Sequence, residues 1–284
     1  MSTTIAEPPF RVAPARRRSS TLDALSTLAR RRVALTSRTP RQIAVPLLGP
    51  ALLALIAAPA LAVVAGAHLG FDYQSFIDVG AVGLLIPLSC VFAGISVLVD
   101  RRSGAQRELL AAPVSRPFLV LANLVVAVGL AALQVAVLIG LAALRGASFE
   151  VSATGIAWFA AGALLFTVFM YAVAETLASR LENPEDYTGA VPAVAILPFF
   201  FGGGLYPIGA MPGALTAIAR FLPLTHALAL LRYGLVDHRG SSLHAIWGAG
   251  NTTTQAWLSL AVVAAFAVAM TAVAIRAFSR SAVR

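Results

Sequence analysis

Apolar residues run in six long stretches along the chain, approximately 43–67, 80–99, 118–144, 153–178, 189–209 and 256–276, separated by short polar or basic segments. A hydrocarbon layer about 30 Å thick is crossed by roughly 20 helical residues, so each stretch predicts a membrane-spanning helix. Pro46, Pro50 and Pro59 in the first stretch and Pro87 in the second predict kinks, which packed neighbours can accommodate. Glu175 and Pro192 fall near the ends of the fourth and fifth stretches and blur their limits.

The pattern differs at both flanks of this array. From about Thr21 to Arg38, Leu22, Leu25, Leu28, Ala29, Val33 and Leu35 interleave with arginines at helical spacing. That predicts an amphipathic interfacial helix over residues 21–42, lying along an anionic membrane surface. Residues 1–20, rich in Pro, Ser and Arg, read as a disordered basic tail. The region 202–250 opens on Gly202-Gly203-Gly204, is punctuated by Pro207, Pro212 and Pro223, and holds a helix-like run from Leu224 to Val236. It predicts short re-entrant helices that dip into the outer leaflet before the last span. Together the elements predict an all-α membrane protein with six transmembrane helices, residues 43–284 forming the transmembrane domain.

Composition sharpens this picture. The chain of 284 residues is 59% hydrophobic and 12% charged, against about a quarter charged in soluble domains. All 21 basic residues are arginine. A Walker A loop needs a lysine to reach the β/γ-phosphates and Schiff-base chemistry needs an amine, so this chain carries neither. Cys90 is the single cysteine, which excludes an internal disulfide or a cysteine cluster for zinc. His68, His226, His238 and His244 are too scattered to suggest a metal site, and His226 and His238 read as solvated or interfacial.

Arginine also sets the expected orientation. Nine arginines precede residue 43, four lie in 100–117 (Arg101, Arg102, Arg107 and Arg116), and Arg180, Arg276, Arg280 and Arg284 join them on one side. Arg145, Arg220, Arg232 and Arg239 fall on the other. Both termini are therefore expected in the cytoplasm, and the arginine- and alanine-rich usage suggests the inner membrane of a GC-rich bacterium. A basic tail can bind nucleic acid, but the apolar stretch that follows at once favours the lipid bilayer as its partner, with no nucleic acid.

The segment 100–116 holds the most informative pattern. Asp100, Arg101, Arg102, Ser103 and Gly104 lead into a short amphipathic run in which Leu109 and Leu110 oppose Arg107 and Glu108; Pro113 stops it, and Ser115 and Arg116 precede the next span. A helix of this kind between two spans suits docking into a groove on a soluble partner, and it equally suits an ordinary charged loop. Three further features stand out within the spans. Glu175 is an acid in or beside an apolar span, a costly placement that often marks function, but Arg180 five positions on favours a structural or interfacial role over a substrate or proton site. Asn123 and Gln134 can bond neighbouring helices, with Asn123 also a candidate for the substrate path. Phe199, Phe200 and Phe201 can line an apolar path or pack in the core.

The run Arg107-Glu108-Leu109-Leu110-Ala111-Ala112-Pro113-Val114-Ser115-Arg116 resembles the cytoplasmic loop of ABC-2 type transporter permeases, and looks most like the daunorubicin/doxorubicin-resistance subgroup. A second match lies in Tyr206-Pro207, Met211-Pro212 and Pro223-Leu224-Thr225 through Arg232, and Asn183-Pro184-Glu185 also fits. Asn123 departs from the lysine that many members carry early in the third helix. The resemblance implies that Arg101, Arg102, Gly104, Arg107, Glu108, Leu109, Leu110, Pro113, Ser115 and Arg116 form a coupling helix about 100–116 that docks on a separate ABC ATPase. That partner would bind ATP and Mg, no cofactor being bound by this chain. It further implies a second permease copy, as a homodimer, and export of an amphipathic drug-like or lipid substrate, in keeping with multidrug and antibiotic resistance. A glycolipid or polysaccharide precursor is the alternative cargo. Two other classes can be set beside these: an intramembrane enzyme, for which Glu175 stands without a paired acid or histidine in the spans, and a membrane scaffold, supported only by the basic N-terminal helix.

Overall fold

The computed structural model describes residues 21–38, 40–65, 72–104 and 116–281, and every regular element among them is helical. The elements are α1 (Thr21–Ser37), α2 (Pro40–Leu52), α3 (Ala58–Ala65), α4 (Tyr73–Arg102), α5 (Arg116–Leu144), α6 (Ala153–Arg180), α7 (Pro184–Gly189), α8 (Leu197–Phe201), α9 (Gly213–Ala219), α10 (Pro223–Leu235), α11 (Ser241–Trp247) and α12 (Thr252–Ser281). Five helical segments are long and apolar enough to cross a membrane: Ile43–Val63, Tyr73–Arg102, Pro117–Leu144, Ala153–Arg180 and Thr252–Arg280. Their lipid-facing sides are apolar and exposed, as at Val63, Leu144 and Val268. The tail 1–20 lies outside the described residues.

The first span shows how its prolines are absorbed. α2 passes through a π-helical turn, Leu53–Ala57, into α3. Pro59 has no N–H, so the carbonyl of Leu55 loses its usual helical donor; the Arg145 guanidinium supplies one from the end of α5. A side chain on a neighbouring helix thus satisfies a backbone group that lipid could not.

The fifth predicted span, 189–209, is not a continuous helix. α7 leads through a π-helical turn at Pro192–Ile196 into α8, which ends at Phe201 in the glycine turn. The Tyr187 hydroxyl donates to Val91 O at 2.8 Å, in the lower half of α4, and the Tyr73 hydroxyl at its start donates to Leu205 O at 2.8 Å. Residues 184–205 therefore climb most of the length of α4, the last part as irregular backbone walled by protein. Pro192 and Pro198 remove helical donors, and Gly203, at φ +82°, ends the helix in a conformation that side chains rarely adopt.

α9 and α10 fall in the stretch expected to hold re-entrant helices and form a pair bent by 83° at the break between them. The Leu224 side chain at the start of α10 lies against Gly83 and Gly202, halfway along α4, whereas Gly234 near its end lies against Gly155 at the start of α6. The pair dips from the α5–α6 end of the bundle to mid-depth and returns. α10 is buried on nearly every side. Small residues on its neighbours make room: a Cβ at Gly83 would fall 2.7 Å from Leu228 Cδ2, and one at Gly162 would fall 3.1 Å from Leu230 Cβ. Such close approach is how helices associate where lipid removes the hydrophobic drive. α4, α6, α10 and α12 make the centre, with Leu85, Ile86, Phe166, Leu228 and Leu231 at its heart.

Two readings change here. His226, expected to be solvated or interfacial, is 2% exposed, with Nε2 facing Arg220 O at 2.9 Å, Nδ1 facing Ser259 Oγ at 3.3 Å and the ring against Trp247. Arg232, counted above with the loop arginines, is 4% exposed and lies inside the bundle. In both cases α10 is a buried helix whose polar groups find partners on α4, α12 and the glycine turn, which amphipathic spacing alone does not reveal.

Candidate functional site

At the α4–α5 end of the bundle, three consecutive residues at the foot of α4 reach three different helices. Asp100 Oδ2 accepts from Arg32 Nη1 of α1 at 2.7 Å. Arg101 Nη1 faces the carbonyls of Ala178, Ser179 and Leu181 at 3.4–3.5 Å, at the C-terminus of α6, where a cation also meets the negative end of the helix dipole. Arg102 Nη2 donates to Asn183 Oδ1 at 3.3 Å, and Asn183 Nδ2 donates to Asp186 Oδ2 at 3.1 Å in α7. Ser103 and then Gly104, at φ +80°, end the helix. Arg107, Glu108, Leu109, Leu110, Pro113 and Ser115 of the candidate coupling helix lie outside the described residues, as does the side chain of Arg116, although α5 begins there.

Just inside this end a buried polar cluster gathers around Arg32. The residue is 7% exposed and donates to Ser96 Oγ as well as to Asp100. A small recess beside it is lined by Arg32, Asn123 and Tyr171. The Tyr171 hydroxyl donates to Glu175 Oε2 at 2.8 Å one turn along α6, while Glu175 Oε1 is buried with no partner among the described residues. Glu175 is 0% exposed. Asn123 and Glu175, singled out separately in the sequence, are thus brought to one cluster through Tyr171. Arg32, Ser96 and Tyr171 carry no local signal in the sequence, and Asp100 stands out there only as the start of the segment 100–116. Arg32 is one of nine N-terminal arginines, and nothing in the local pattern separates it from its neighbours.

Phe199, Phe200 and Phe201 stand apart from that cluster. Phe199 is 2% exposed and fills the space that Gly204 leaves open, whereas Phe200 and Phe201 lie on the outside of the bundle. The apolar recess in this region, about 210 Å³, is instead lined by Pro87, Phe166, Met170, Pro198 and Leu224. Gln134 behaves as an interhelical bond: it accepts from Ser89 Oγ at 2.5 Å and donates to Ile43 O at 2.6 Å.

The proline-rich segment ends in a specific anchor. Arg232 Nη2 donates to Gly204 O at 2.9 Å, Nε lies 3.4 Å from Phe76 O, and the guanidinium carbon sits 3.4 Å from the Phe76 ring centroid. Arg232 thereby ties α10 to the glycine turn and to α4. Gly80 permits this approach, since a Cβ there would lie 3.0 Å from Arg232 Nη2 and closer still to the Gly204 carbonyl.

The family model described as ABC-2 type transporter matches residues 23–236, from the first turn of α1 to the end of α10. No curated protein matches the chain. The match covers most of the sequence and includes the α4–α5 connection, the re-entrant pair and Arg232, so this multi-pass membrane protein belongs to the ABC-2 type transporter family and is a membrane permease of an ABC transporter.

Proposed function

We propose that the permease is the transmembrane subunit of a bacterial inner-membrane exporter, with the α4–α5 end and both termini in the cytoplasm. A separate ATPase subunit docks on the coupling helix about 100–116 and binds ATP and Mg²⁺, and two permease copies complete the pore as a homodimer. The observation that carries this reading is the fan of contacts from Asp100, Arg101 and Arg102 to α1, α6 and α7. A push on the segment that follows them is delivered at once to three elements of the bundle. A partner can shift a two-state equilibrium only through contacts that differ between its states, and the foot of α4 is where such contacts converge.

The cargo reading is an amphipathic drug-like or lipid molecule. The apolar recess between Pro87, Phe166, Pro198 and Leu224 supports it. The test is affinity capture of the ATPase encoded nearest this chain by the full-length permease. Wild type retains the ATPase, and Leu109→Asp or Glu108→Arg loses it; retention by both variants overturns the docking assignment.

A further inference from the structure

A recess of about 550 Å³ opens at the α4–α5 end between the ends of α4, α6 and α12. Four arginines line it, Arg101, Arg180, Arg276 and Arg280, against one acid, Glu182. Among the described residues none of the four lies within ion-pair distance of a carboxylate. Arg101 is held by carbonyls of α6. Arg276 and Arg280 occur at i and i+4 on one face of α12, a like-charge spacing that weakens a helix. Positive charge at this end of a membrane protein follows the general bias of arginine distribution, but that bias does not require four guanidiniums from three helices to converge on one recess.

A second, independent observation points to a ligand. Ser179 lines the same recess and is 8% exposed. Its hydroxyl is buried with no hydrogen-bond partner among the described residues. A helical serine or threonine in an apolar setting ordinarily bonds the carbonyl one turn back, as Thr176 does to Ala172 O at 2.7 Å. A buried donor left in this way costs stability unless something else satisfies it.

We propose that this recess binds the phosphate group of an anionic amphiphile from the adjoining leaflet. The arginine fork matches phosphate oxygens in geometry as well as charge, and the Ser179 hydroxyl supplies a further donor. Val273 and Ala277 on α12 give the recess an apolar wall on the same helix face region, suited to the start of an acyl chain. Basic recesses between transmembrane helices are physically apt for such headgroups. The site is separate from the Arg32 cluster and does not depend on the identity of the exported cargo.

The test uses native mass spectrometry of the full chain in detergent, titrated with phosphatidylglycerol or phosphatidylcholine of identical acyl chains. The expected result is preferential phosphatidylglycerol binding that falls on the order of tenfold or more in Arg276→Gln/Arg280→Gln, each basic residue near the headgroup contributing roughly fivefold. Arg220→Gln/Arg239→Gln, which removes the same charge from exposed positions outside the recess and outside the N-terminal helix, keeps the preference. Competition by inorganic phosphate separates the sources: displacement at millimolar concentration assigns the site to a soluble phosphate, and persistence assigns it to the lipid. Equal binding of the two lipids, or an unchanged preference in Arg276→Gln/Arg280→Gln, overturns the proposal. So does loss of ATPase capture by that variant with lipid preference intact, which would make the recess a protein contact.

Discussion

Arg32 of the N-terminal helix donates to Asp100 at the foot of α4 at 2.7 Å, with both side chains largely withdrawn from solvent. The pair fastens α1 to the residue that opens the α4–α5 connection. An amphipathic helix held only by lipid could slide along the surface; this one is pinned to the bundle.

Removing one partner of a buried ion pair leaves an uncompensated charge. Arg32→Gln and Asp100→Asn are each expected to lower stability by about 3 kcal/mol, and the double variant by less than their sum. Thermal unfolding of the four proteins in detergent gives the coupling energy, expected at roughly 2 kcal/mol. Additive losses would show that the pair contributes nothing specific.

Gly80 is a position of enforced smallness. An alanine there drives a methyl group into the Gly204 carbonyl and the Arg232 guanidinium, and a backbone carbonyl cannot swing aside. Gly80→Ala is expected to cost roughly 1–3 kcal/mol. Gly129→Ala, on α5 with nothing within 4 Å of the new carbon, is expected to be neutral or stabilising by up to about 1 kcal/mol. Parallel melting curves decide between a packing constraint and a general preference for glycine.

Arg232→Lys keeps the charge and loses the geometry. A lysine cannot at once donate to Gly204 O and lay a planar cation on the Phe76 ring. A destabilisation of about 2 kcal/mol or more is expected, with the glycine turn becoming accessible to protease. Melting temperature and limited proteolysis measure the two effects.

Asp72 caps α4 through Gln74 N at 3.1 Å and accepts from Ser148 Oγ at 2.6 Å and from Ser75 Oγ. Burial pushes its pKa up, but the hydrogen bonds from Ser148 and Ser75 together outweigh it and hold the carboxyl below its usual value of 3.8. The stability this contributes is present above pH 3.8 and is lost as pH falls from there through the lowered folded value. Melting temperatures recorded from pH 6 down to pH 3, about the acid range of a free carboxylate, should fall more steeply for wild type than for Asp72→Asn.

The spans and α1 were legible because a long apolar run and a leucine–arginine repeat have few physical alternatives. α1 starts at Thr21 and ends at Ser37, short of the expected limit at residue 42, and a second helix starts at Pro40. What hydropathy does not carry is which apolar face meets lipid and which meets protein. α10 reads as a helix-like run in a moderately apolar region, and yet it is buried on nearly every side, so His226 and Arg232 are core groups with partners. The break in 189–209 follows from Pro192, Pro198 and Gly203 acting together, each tolerable alone. The cluster at Arg32, Tyr171 and Glu175 joins residues far apart in the chain, and local pattern holds no information about that meeting.

The most direct test of force transmission through the foot of α4 is substrate-stimulated ATP hydrolysis by the permease and its ATPase partner in proteoliposomes, with Arg101→Ala/Arg102→Ala in place of wild type. Both side chains make hydrogen bonds to the bundle, so capture of the ATPase should persist while stimulation and transport fall by about tenfold or more, a loss of about 1.4 kcal/mol of coupling. Full stimulation and full transport in that variant would contradict the account.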